Sequence, residues 1–110
     1  MSALFRVRVL AVSDTRLWCA AAGTLTPATS RTLRAELTVR CHGTTVAGLD
    51  LRQLRVPGDE FLPDTPWPEG PHTIHLLAPD PLRALTADDV RLHWHTDLHS
   101  AWRAWSALSL

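Results

Sequence analysis

The chain has 110 residues, enough for one compact core and too few for two ordinary domains. Apolar residues make up 45% and charged residues 20%, which excludes a disordered chain, and the formal net charge of zero argues against nucleic-acid binding. That zero hides an asymmetry: residues 1–55 carry eight Arg against Asp14, Glu36 and Asp50, a net of +5, while residues 56–110 carry a net of −5. The plain reading is self-complementarity within one fold or between copies. The sharper reading is a basic sheet face that meets an acidic partner or a phosphate.

All 11 fixed positive charges are Arg. Arg suits bidentate recognition of anions, but a GC-rich genome explains the missing lysines more simply, and a bacterial source is expected. No apolar run approaches the roughly 18 residues of a membrane helix. The N-terminal stretch resembles a signal peptide only superficially, because Arg6, Arg8, Asp14 and Arg16 interrupt its apolar segment. A cytoplasmic protein without membrane contact is expected. Two cysteines, Cys19 and Cys41, are too few for a disulfide scaffold. They are read as buried thiols, with a bridge open only if their strands pair.

The first predicted element is a strand over 5–12, where Phe5, Val7, Val9 and Ala11 alternate with Arg6 and Arg8. Ser13-Asp14-Thr15 reads as a turn, and 16–22 as a second strand forming a hairpin with the first. Residues 23–30 read as a loop containing Pro27. Residues 32–41 give the cleanest alternation, with Leu33, Ala35, Leu37, Val39 and Cys41 on one side, and are predicted as a third strand; a helix over 31–37 is the weaker alternative. A fourth strand over 45–51, disturbed at Gly48, is extended by 52–56 after a bulge or bend.

Seven of the 8 prolines fall between 57 and 81, so 57–71 is predicted as a stiff surface loop carrying Phe61 and Trp67. His72 to Ala78 reads as a fifth strand, and Asp80-Pro81 as the start of a helical turn. Residues 86–97 admit two readings. One is a single helix over 87–108. The other is a sixth strand over 90–95, followed by a helix over 98–108 capped by Thr96 or Asp97. The second is preferred, because the long helix would expose Leu92 and VRLHWH has strand-like content.

These elements predict a single α+β, sheet-rich domain over 1–110, with five to six mainly antiparallel strands and a C-terminal helix. The alternative is an all-β sandwich with a terminal helix. Parallel βαβ units are not expected, because no helix is predicted between the first four strands.

Five of the 6 histidines lie in the second half: His72, His75, His93, His95 and His99. On a strand, His93 and His95 share a face, a chelating spacing for a divalent transition metal. On a long helix, His95 and His99 would form an i,i+4 pair instead. The plainer reading leaves all five as polar-face residues with no cofactor. No nucleophile elbow, catalytic-cysteine context or glycine-rich phosphate loop is present, so an enzyme has no anchor residue in the sequence.

Five Trp are more than a chain this size usually carries. Trp105 falls on the core stripe of the terminal helix, Trp102 near its edge, and Trp67 on the proline loop. Trp67, Trp102, Trp105 and Arg103 are the interface candidates. The expected function is a small non-enzymatic protein-binding or accessory domain, immunity- or adaptor-like, whose partner is another protein or a second copy. The rival is a small metal- or ligand-binding enzyme using the histidines.

Overall fold

The computed structural model describes residues 6–55, 66–70, 72–78, 82 and 89–107. The alternating segments at the N-terminus form strands β1 (Arg6–Ser13) and β2 (Arg16–Thr24), paired antiparallel as a hairpin. Asp14 takes the left-handed conformation (φ 53°) at the turn, which Asp tolerates better than most side chains. The register slips between Val9 and Ala11, leaving Leu10 as a bulge.

The predicted strand over 32–41 is instead part of helix α1 (Pro27–Arg40). Local chemistry decides this. Thr26 caps the helix: its hydroxyl accepts from the Thr29 N–H, the Thr29 hydroxyl oxygen accepts from the Thr26 N–H, and Pro27 opens the first turn. Ser30, Leu33, Leu37 and Cys41 are the buried positions, which is helical spacing. Ala35 and Val39, which the alternation had placed inward, are exposed, Val39 by 74%. Helical spacing and period two share Leu33, Leu37 and Cys41, and only the cap tells them apart.

With a helix in place after β2, the chain can cross over and continue parallel. β3 (Val46–Arg55) lies parallel to β2, β4 (Thr73–Leu77) parallel to β3, and β5 (Leu92–Trp94) parallel to β4. The result is a small α+β protein with one five-stranded mixed sheet in the order β1-β2-β3-β4-β5. The mainly antiparallel arrangement, the exclusion of βαβ units and the all-β sandwich are overturned by three parallel pairs, the first of which is made across the hidden helix α1. β3 runs on to Arg55 past a slip after Asp50, as a bulged extension predicts. Of the 86–97 segment, the described residues 89–97 follow the strand reading, though the strand is shorter than 90–95: Leu92 is buried in β5, and Asp97 caps helix α2 (Leu98–Ser106).

Successive strand residues point to opposite faces. One face carries Leu17, Cys19, Ala21, Ala47, Leu49, Leu51, Ile74, Leu76 and Leu92 against Leu33 and Leu37 of α1. The other carries Trp18, Val46 and Leu77 against Ala101 and Trp105 of α2. The two helices therefore cover opposite faces. Cys19 and Cys41 are both buried and free; burial pushes their thiols up to about 11 and about 12.

Of the predicted proline loop, residues 66–70 are described and irregular, with Pro66, Trp67 and Pro68 buried. Arg91 fastens this segment by donating to Pro68 O (2.8 Å) and Gly70 O (2.7 Å) while paired with Asp89. The rest of that loop and the Asp80-Pro81 turn lie outside the described residues.

Candidate functional site on the α2 face of the sheet

The parallel register sets Trp18, Gly48, His75 and His93 in one row across β2, β3, β4 and β5. Gly48 does not disturb its strand; it seats the Trp18 ring. A Cβ there would lie 1.9 Å from Trp18 Cε3, so only glycine admits the indole. Trp18 then meets Trp102 and Trp105 edge-on, with centroids 5.5 and 5.7 Å away, and those two rings lie 4.9 Å apart. Such edge-to-face pairs set ring orientation as well as burying area.

Asp97 starts α2 by accepting from the Ser100 N–H at 2.7 Å, and that bond is the main reason its carboxyl is held below the usual range. Trp105 ends the buried stripe. Its Nε1–H donates to Leu17 O at 3.0 Å, and its own carbonyl accepts from Arg16. Trp102 keeps 43% of its surface exposed, and Leu98, one turn earlier, also keeps 43%.

Helix α2 covers only part of this face. Beyond it lies a groove of about 410 Å³ lined by Arg6, Arg8, Leu10, Ala20, Ala22, Asp50 and Gln53 among others. Its floor is small because Ala20 and Ala22 follow Trp18 on the same side of β2. Asp50 is held by Arg52 (Nη2–Oδ2 2.8 Å); burial pushes its carboxyl up, and the guanidinium more than offsets this, leaving it below the usual range. Among the described residues, Arg6 and Arg8 make no ion pair.

The histidines divide. His75 and His95 face each other, Nδ1 to Nε2, at 3.0 Å, and the His93 ring centroid lies 5.2 Å from that of His75. Burial first, then the neighbouring histidines, push His75 down to about 4; His95 is lowered by burial and by His93. His72 sits elsewhere, buried, with Thr44 O 2.9 Å from Nδ1 and Glu69 O 3.0 Å from Nε2, and locks the approach to β4. His99 is exposed on α2.

Of the interface candidates, Trp102 and Arg103 are exposed. Trp105 is buried under α2, and Trp67 is buried on the other face, edge-on to Trp94 at 5.6 Å. Sequence reasoning missed Trp18 and Gly48, whose pairing appears only once β2 and β3 are known to run parallel in this register.

No family model matches the sequence, and no curated protein does. Among solved structures, an anti-sigma factor antagonist from Mycobacterium paratuberculosis matches with a TM-score of 0.52 and 16% identity, over 91% of this chain and 94% of that one. At that identity the likeness is one of overall fold alone.

Proposed function

We propose that this chain is a non-enzymatic protein-binding regulator that receives an acidic segment of another protein on the α2 face. The observation that carries the reading is Trp102, half-exposed yet held against buried Trp18. A large ring already fixed in place loses little freedom on binding, which is how interface anchors gain affinity. Leu98 extends the apolar patch, and Arg103, Arg6 and Arg8 supply positive charge for carboxylates. The fold shared with an anti-sigma factor antagonist supports a regulator that works by contact. An adaptor- or immunity-like role in the cytoplasm fits the same features. No helix among the described residues is long and apolar enough to cross a membrane.

The test is capture of partners from the native cell by the intact chain, beside Trp102→Ala and an Arg6→Glu/Arg8→Glu double variant. A partner retained by the native chain and lost by both variants, with thermal midpoints unchanged, supports the reading. Retention by both variants overturns it. Solution mass at two concentrations addresses the remaining occupant: a dimer that Trp102→Ala dissociates makes the partner a second copy.

A further inference from the structure

We propose that His75, His95 and His93 bind one divalent transition-metal ion, of the zinc, nickel or copper class, at the β5 edge of the sheet. The site follows from register. β4 and β5 run parallel with His75 opposite His93, and His95 lies two residues beyond His93, its N–H donating to Leu76 O. One imidazole from β4 therefore stands beside one from β5 and one just past its end.

The distances suit a shared ion. Two imidazole nitrogens each about 2.0–2.1 Å from zinc, at a tetrahedral angle, stand about 3.3 Å apart. His75 Nδ1 and His95 Nε2 face each other in a hydrogen bond at 3.0 Å, so a shared ion requires the pair to open by a few tenths of an ångström and both rings to turn their nitrogens off the N–N line toward a common point. The ligand form is the uncharged ring, through a ring nitrogen lone pair. Among the described residues no three such side chains already surround one point. The third ligand is His93, exposed on the edge strand with its ring centroid 5.2 Å from that of His75, and its ring must turn toward the pair to reach the ion. Water completes the shell. Asp97 is not a ligand, because its carboxylate is engaged in capping α2.

The ion would tie the three-residue strand β5 to β4, and so would bind the folded chain and raise its thermal midpoint. This inference is independent of the protein-binding reading. The experiment is calorimetric titration of the intact, untagged chain with Zn²⁺ and Ni²⁺, read beside thermal midpoints with and without chelator. One equivalent bound with micromolar affinity is expected. His75→Ala and His95→Gln should each weaken binding at least tenfold, His93→Ala less, and His72→Gln and His99→Ala not at all. His95→Gln lies past the end of β5 and keeps the test open if His75→Ala fails to fold. No binding at about 100 µM metal, or binding that His95→Gln leaves unchanged, overturns the proposal.

Discussion

The two faces of the sheet are built from the same strands and finished in different ways. The α1 face is mainly aliphatic, with Trp67 and Trp94 beside the leucines, and Leu33, Leu37, Leu49, Ile74 and Leu76 are fully buried in it. The α2 face has a small core of four buried residues, Trp18, Leu77, Ala101 and Trp105, flanked by arginines on one side and histidines on the other. Chemistry concentrates where packing is incomplete, because a group that must meet a ligand cannot also be sealed. The α1 face seals a large core; the α2 face leaves part of its surface exposed.

That division can be broken by mutation. Leu37→Ala on the α1 face should destabilise by ~2–5 kcal/mol in chemical denaturation, since a fully buried leucine leaves a cavity. Gly48→Ala should destabilise by ~1–3 kcal/mol, because the added methyl collides with Trp18, and near-ultraviolet dichroism should show the displaced indole. An equal loss from Trp102→Ala would erase the distinction between the faces; less than ~1 kcal/mol is expected for this half-exposed ring.

Thr26→Ala removes the cap that opens α1 and should lower stability by ~1 kcal/mol. Acid should act through the α2 face. The folded state lowers His75 from 6.5 to about 4, so between those values the unfolded chain takes up a proton that the folded one refuses. Stability is therefore lost as pH falls through that window, and His75→Gln should flatten the loss in a series of thermal melts. His95 adds to the loss in the same direction.

Much of this was legible in the sequence. β1, β2, β4, the bulged extension of β3 and the strand-then-helix reading of 90–106 follow from period two, glycine and proline placement, and Asp97 as a cap. Helix α1 was not legible from its alternation, because Leu33, Leu37 and Cys41 satisfy both periods; the signal that would have found it is Thr26-Pro27 with Thr29 three residues after the cap. Losing that helix hid the parallel β2–β3 register, and with it the meeting of Trp18 with Gly48; the meeting of His75 with His93 depends on the β4–β5 pairing instead. The pairing of His93 with His95 was visible because both fall in the predicted strand 90–95, although β5 ends at Trp94. A partner from another strand is fixed by long-range pairing, which local pattern does not encode.

The tryptophans carry a further consequence. Trp18, Trp102 and Trp105 stand on one side of the sheet, and Trp67 and Trp94 on the other, each ring 4.9 to 5.7 Å from a neighbour. Indoles this close couple their excited states, so each side of the molecule bears its own optical label. Emission changes on the α2 side would report occupancy, and those on the α1 side would report integrity. The protein thus comes with two built-in probes, one for what it meets and one for whether it is still folded.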